Sequence, residues 1–350
     1  MECVYQREIT MNVILLSGGS GKRLWPVSGD IRAKQFIKIL KNEDGSYESM
    51  IQRAYRRIKK TDKNVCITIA TSEEQVSEIH NQLGDDVCIS AEPCRRDTFP
   101  AIALATSYLT DVLKINPEEA VVVCPVDSYA EEDYFKALKS LSDIASESDA
   151  NLVLMGIEPT FPSENYGYII PETSDNVSLV RTFKEKPSKE TAKEYINRGA
   201  LWNCGVFAYK LKYVLNRAHR LIDFTDYRDL LSKYSTLEKI SFDYAVVEHE
   251  DKIQVQRFSG QWQDIGTWST FTEVMDEDII GTGIKSDSCS GVRILNETNI
   301  PVVAIGLHDV IISVSSQGIL VSDKEQSCFI KPFVEMLENG DTFAEKEKVN

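Results

Sequence analysis

From residue 11 onward, short β-branched apolar runs alternate with longer stretches in which apolar side chains recur at i, i+3 and i+4. The runs at 12–16, 65–70, 87–90, 120–124 and 152–156 predict buried strands. Between them, 48–60, 72–83, 100–113 and 133–144 predict amphipathic helices; in the first, Met50, Ile51, Ala54 and Ile58 fall on one face. Strands alternating with crossover helices make an α/β domain on a largely parallel sheet. Past 156 the pattern loosens, with further strands at 202–209 and 253–258 and a helix at 267–275. From 283 to about 332, short apolar runs recur between Gly, Asn, Asp and Ser (292–295, 302–305, 310–314, 319–321), which predicts a small β-rich appendage with no helix of its own.

The organisation expected is therefore an N-terminal extension (1–10), a catalytic α/β domain (11–276), a small β-rich C-terminal domain (283–335) and a charged flexible tail (339–350). A chain of 350 residues suits about two domains and buries a full core without covalent staples. The net charge of −15 repels a polyanion over most of the surface, which argues against nucleic acid as the partner, so any phosphate must be held by a local site. The eight cysteines show no C-x-x-C pair and mostly sit inside apolar runs. They read as reduced core thiols and point to the cytoplasm. No run reaches the ~18 apolar residues of a membrane span, and the N-terminus lacks the features of a signal peptide. A membrane is not an expected partner.

The first strand runs directly into Leu16-Ser17-Gly18-Gly19-Ser20-Gly21-Lys22-Arg23-Leu24-Trp25-Pro26. Three glycines within four residues after a buried strand let the backbone approach a ligand and aim several N–H groups at one anion. A Walker A loop needs Ser or Thr after the Lys, where Arg23 stands, and a dinucleotide fingerprint needs Gly or Ala where Leu24 stands. On the glycines alone, a tight strand-to-helix turn without a ligand remains open.

The residues that follow decide for a ligand. The stretch from Gly18 to Ser28, then Ala33-Lys34-Gln35-Phe36, resembles the signature of the sugar-nucleotide pyrophosphorylases, GGxGxRLxPLS followed by PKQF, and is most similar to the mannose-1-phosphate guanylyltransferase branch. The resemblance continues through Glu92-Pro93-Cys94-Arg95-Arg96-Asp97-Thr98-Phe99-Pro100, Pro125-Val126-Asp127, Tyr166-Gly167-Tyr168-Ile169 and Phe183-Lys184-Glu185-Lys186-Pro187. Further on stand Trp202-Asn203-Cys204-Gly205, Phe242-Asp243-Tyr244-Ala245 and Trp262-Gln263-Asp264-Ile265-Gly266. It implies a Rossmann-like nucleotide-diphospho-sugar transferase sheet. The family's long form carries an isomerase domain for which this chain leaves no room.

The implied reaction joins a phosphate oxygen of a sugar 1-phosphate to the α-phosphorus of a nucleoside triphosphate and releases pyrophosphate. A phosphate monoester is already mostly dianionic at pH 7, so no general base is needed, and the barrier is mainly the repulsion between two polyanions, which cationic side chains, oriented N–H groups and Mg²⁺ lower. By resemblance, Arg23, Lys34 and Asp127 are the catalytic residues. Leu16, Gly18, Gly19, Ser20, Gly21, Arg23 and Lys34 hold the nucleotide, and Gly167, Glu185, Lys186 and Asn203 hold the sugar phosphate. Asp127 follows the buried run 120–126, at the strand end where open α/β sheets bind ligands, and a carboxylate there suits Mg²⁺. The resemblance makes Asp264 the second metal carboxylate, with a helix cap as its alternative. Lys22 reads as a rim charge, and the four histidines fall in no motif.

Ala33 stands where the family has Pro, Asp97 where it has Asn, Phe99 where it has Ala and Ser128 where it has His. The changes at 97 and 99 lie in a segment expected near the base, where an added charge and a bulky ring alter selectivity. The substrates implied are GTP and mannose 1-phosphate. The same chemistry on another sugar 1-phosphate (a manno-heptose) or with CTP or dTTP is the first alternative, and a non-catalytic sugar-nucleotide sensor the second. The sequence does not fix the assembly; a homodimer is the one entertained.

Overall fold

The computed structural model describes residues 9–19, 21–29 and 32–339. The chain divides into two compact units. The expected N-terminal extension and C-terminal tail fall mostly outside the described residues, as do Ser20 and the side chain of Lys22.

The first unit comprises residues up to 18, 54–126 and 130–262 and is built on nine strands: β1 (Asn12–Leu16), β2 (Cys66–Ser72), β3 (Cys88–Glu92), β4 (Ala120–Pro125), β5 (Leu152–Ile157), β6 (Gly167–Pro171), β7 (Val177–Lys184), β8 (Leu201–Lys210) and β9 (Ile253–Phe258). Their order across the sheet is β3-β2-β1-β4-β8-β5-β9-β7-β6. The first four are mutually parallel, as the alternation of strand and helix dictates. Beyond them the expectation of a largely parallel sheet needs correction. β8 runs antiparallel to both β4 and β5, and β7 is antiparallel to β9 and β6. Hydrophobic pattern reports burial and leaves strand direction open, so the sequence could not distinguish these. Val13, Ile14 and Leu15 on β1, Val121, Val122 and Val123 on β4 and Val153, Leu154 and Met155 on β5 are fully buried, the signature of strands covered on both faces.

The second unit comprises residues 19–53, 127–129 and 263 to the C-terminus. Its core joins Leu24, Val27, Ile37 and Ile39 to Ile265, Trp268, Phe271, Ile311, Ile330 and Val334. Burying each such side chain is worth about 1.5–3 kcal/mol, so the turn that follows the glycines is anchored firmly through Leu24 and Val27. Trp268 Nε1 donates to the Trp25 carbonyl at 3.0 Å and Ser315 Oγ to that of Pro26 at 2.6 Å. The expected β-rich segment forms short strands β10 (Ile279–Gly281), β11 (Gly283–Lys285), β12 (Arg293–Asn296), β13 (Val302–Ala304), β14 (Val310–Ser315) and β15 (Gly318–Asp323). β10, β12 and β14 pair in parallel, as do β11 and β13, so successive strands alternate between two sheets, as in a solenoid coil. The expectation that this segment has no helix is corrected by Lys331–Glu338. Pro332 sits in its first turn, where the missing N–H has no partner to lose.

Candidate active site

The glycine turn of the second unit is fixed by contacts the motif spacing provides. A Cβ on Gly21 would lie 2.8 Å from Ser28 Cβ and 2.9 Å from Ala33 Cα, so only glycine lets these backbones meet. Ser28 Oγ donates to the Gly21 carbonyl. A single helical turn, Lys34–Phe36, then buries Gln35 and Phe36 and leaves Lys34 pointing into the site.

Lys34 Nζ donates to the Ile265 carbonyl at 2.6 Å and lies 3.1 Å from Asp127 Oδ2 and 3.8 Å from Asp264 Oδ1. The lysine side chain is only 16% exposed, whereas both carboxylates are close to half exposed. Partial burial holds the Asp264 carboxyl above its ordinary range; Lys34 opposes this, Asp127's charge adds to it and Arg23 also opposes. A Cβ on Gly266 would stand 3.5 Å from Asp264 Oδ2 and 3.7 Å from Arg23 Nη1, which places the exposed guanidinium beside the same carboxylate. Gly19, Gly21, Arg23, Lys34 and Asp127 line a cavity of about 260 Å³. Asp264 also serves no cap: Thr267 caps the helix Trp268–Glu273, so that alternative loses its support.

Two oxygen ligands gathered at one ammonium fit Mg²⁺, which takes one or two carboxylates and keeps phosphate oxygens and water for the rest. Among the described residues no third His, Cys, Asp or Glu joins them.

In the first unit, Leu16 ends β1 with its carbonyl accepting from Val126 N at 3.1 Å. A Cβ on Gly18 would stand 3.2 Å from Glu92 Oε1, and Glu92 in turn accepts from the Tyr234 hydroxyl at 2.5 Å. The expected sugar residues gather separately. β8 pairs Asn203 with Gly167 of β6, and β6 pairs Tyr168 with Lys184 of β7, whose continuation carries Glu185. A Cβ on Gly167 would fall 2.5 Å from Glu185 Oε2, so this glycine makes room for a buried carboxylate. The β8 pairing slips between Asn203 and Phe207, and Gly205, at φ 75, supplies the left-handed residue of the bulge. The bulge turns Asn203 so that its Oδ1 accepts from Gly205 N at 3.1 Å and its Nδ2 donates to Asp243 Oδ1 at 2.7 Å. Lys186, at φ 45, folds its ammonium onto Glu185 Oε1 at 2.7 Å. Burial works to lower the Lys186 pKa, but the bond and charge of Glu185 win and raise it.

Asp243 is the residue the sequence motif contained without a role. It keeps part of its surface accessible, yet the protein packed around it, with Glu185's charge adding, pushes its pKa up to about 7, against the Asn203 bond and Lys186. A carboxyl with a raised folded pKa opposes folding increasingly as pH climbs from its ordinary range to the folded value. Asp243→Asn should therefore gain stability relative to wild type between about pH 4 and 7, with a constant difference above 7. Urea denaturation at a series of pH values checks this, and a pH-independent difference would overturn it.

Asp97 and Phe99 have structural roles of their own. Asp97, at φ 68, caps the helix Thr98–Asp111 by accepting from Thr98 N, and Phe99 is 2% exposed in the core of the first unit.

The family model described as nucleotidyl transferase matches residues 12–279. A mannose-1-phosphate guanylyltransferase of Salmonella montevideo is 30% identical over 359 residues, covering 93% of this chain and 73% of its own. One of Escherichia coli is 29% identical over 362 residues, covering 93% and 75%. A crystal structure described as mannose-1-phosphate geranyltransferase from Thermus thermophilus is similar at a TM-score of 0.77 and 25% identity, over 95% of this chain and 100% of that one. With the glycine turn, the lysine between two carboxylates and a match over most of the length, the chain belongs to the nucleotidyl transferase family.

Proposed function

We propose that the protein transfers a guanylyl group from GTP to mannose 1-phosphate, giving GDP-mannose and pyrophosphate, with Mg²⁺ as cofactor. The observation that carries the reading is Lys34 Nζ held 3.1 Å from Asp127 and 3.8 Å from Asp264 beside the glycine turn. The names of the relatives support the choice of base and sugar.

In the reaction a mannose 1-phosphate oxygen forms a bond to the α-phosphorus of GTP, the bond from that phosphorus to the bridging oxygen breaks, and pyrophosphate leaves. The attacking oxygen already lacks its proton, so no general base is needed and charge repulsion is the main barrier to the step. Arg23 and the N–H groups of Gly19 and Gly21 bind the triphosphate, and Lys34 neutralises the attacking and α-phosphates. Asp127 and Asp264 would hold Mg²⁺, which supplies further neutralisation of phosphate charge. Glu185 accepts from sugar hydroxyls, Asn203 adds its amide and Lys186 meets the sugar phosphate, with Asp243 fixing the amide's orientation.

Among the described residues no helix is long and apolar enough to cross a membrane. Free thiols at Cys66, Cys88, Cys94, Cys124, Cys204, Cys289 and Cys328 support a reducing, cytoplasmic setting. A homodimer belongs to the same proposal, to be checked by light scattering.

Pyrophosphate release measured for four nucleoside triphosphates against a panel of sugar 1-phosphates tests the reading. The expected outcome is the highest kcat/KM with GTP and mannose 1-phosphate, and a reverse reaction on GDP-mannose. A more than tenfold preference for another pair would overturn the substrates and keep the transfer, whereas tight nucleotide-sugar binding without any turnover would overturn the enzyme.

A further inference from the structure

The cavity at the glycine turn has one lining residue that no motif contains. Lys331, the first residue of the helix Lys331–Glu338, lines it together with Gly21, Arg23, Lys34, Asp127 and Gly266. Its place follows from packing. Ile330 immediately before it and Val334 one turn later are buried, at 7% and 2% exposure, in the core that also holds Leu24. The residue next to Arg23 and the residue next to Lys331 thus share one hydrophobic cluster, and the helix packs against the turn Lys22–Leu24.

The Lys331 side chain is 61% exposed, and it lies 3.6 Å from Glu335, a half-exposed partner one turn along the same helix. Such a pair is weak, and a flexible four-carbon stem lets the ammonium leave it for a stronger anion. The charge balance shows what that anion is. Before a metal binds, Arg23 and Lys34 are matched charge for charge by Asp127 and Asp264, so these four side chains alone offer a polyanion no net positive charge. Lys331 supplies a further cation on the cavity wall, and the buried Ile330 and Val334 on either side of it hold it there.

We propose that Lys331 is a phosphate-binding residue of the nucleotide site, supplied by the C-terminal segment and directed at the triphosphate tail and the leaving pyrophosphate. The proposal rests on the nucleotidyl-transfer reading, and it gives the C-terminal helix a part in binding.

The test is calorimetric titration of the full chain with inorganic pyrophosphate, together with steady-state kinetics in both directions. Lys331→Gln should weaken pyrophosphate binding and raise the KM for GTP by about tenfold each, the scale of one partly exposed charge-assisted contact. The KM for mannose 1-phosphate and the melting temperature should stay unchanged. Lys331→Arg should recover most of the affinity, and Glu335→Gln should leave it equal or tighter by freeing the lysine. Pyrophosphate binding within twofold of wild type in Lys331→Gln, or an equal rise in the KM of the sugar phosphate, overturns the proposal. A wild-type protein that binds pyrophosphate but transfers nothing overturns the reaction, while the effect of Lys331→Gln on binding still decides the residue. A wild-type protein that binds no pyrophosphate overturns both.

Discussion

Asp127→Asn and Asp264→Asn should each lower kcat by about 10²-fold or more, roughly 2.7 kcal/mol of transition-state stabilisation, while the double variant should lose far less than the product. Asp127 follows β4 and Asp264 lies 137 positions later in the chain, yet the two carboxylates meet at one ammonium. If they hold one cation, removing either loses it, and a cation lost once cannot be lost again. Folding should survive both changes. The Asp264 carboxyl is held above its ordinary range, which means that its charged form is disfavoured in the folded protein. Its ionisation therefore opposes folding as pH rises through the carboxylate range, and at pH 7 Asp264→Asn should be no less stable than wild type. Single and double variants assayed over a Mg²⁺ series, with melting curves alongside, decide the matter. Multiplicative losses in the double variant would separate the two carboxylates, and undiminished Mg²⁺-dependent turnover in Asp264→Asn would remove it from the site.

Features written into the backbone over a short stretch were legible in the sequence. Gly21 carries such a signal, because its close approach to Ser28 and to the Ala33 backbone leaves no room for a side chain. The motifs also single out Glu185 and Asn203, and the structure sets the two on either side of Gly167, each on or just beyond a strand whose partners fix its place. Asp243 was inside a matched segment, but nothing local marks it: its role appears only when the bulge at Gly205 aims Asn203 Nδ2 at its carboxylate. Lys331 was less accessible still. A lysine beside a proline near the chain's end looks like any solvated lysine, and only the burial of Ile330 and Val334 with Leu24 brings it to the glycine turn. The same limit applies to the fold. Apolar runs located β1 to β5, β8, β9 and β12 to β15 but gave no bounds for β6, β7, β10 and β11, and the reversed direction of β8 and the parallel coil of β10 to β14 depend on pairings that hydrophobic spacing does not encode. Phe99, whose departure from the family pattern suggests a pocket wall near the base, is 2% exposed in the core of the first unit and also lines a cavity with Pro100, Ile240 and Tyr244.

Lys34→Met should produce the largest loss of all, on the order of 10³-fold in kcat, because no other described group takes its three contacts. Its ammonium donates to the Ile265 carbonyl at 2.6 Å and faces Asp127 and Asp264 at 3.1 and 3.8 Å, so its position is fixed before any phosphate arrives. A preorganised charge of this kind needs no rearrangement at the moment of reaction, and removing one such donor costs about 10²–10³-fold in known cases. Two additions push this site to the upper end. Lys34 lowers the pKa of Asp264 against burial and Asp127's charge, so without it the Asp264 carboxyl should rise further. The remaining carboxylates would also repel the incoming phosphates. Lys34→Arg should rescue little, since a planar guanidinium cannot reproduce three contacts made from one point charge on a side chain only 16% exposed. The loss should fall on kcat with modest changes in KM, the pattern of a contact strengthened in the transition state. A kcat within tenfold of wild type, or full rescue by arginine, would show that the cation at this position contributes bulk charge and that its fixed geometry is incidental.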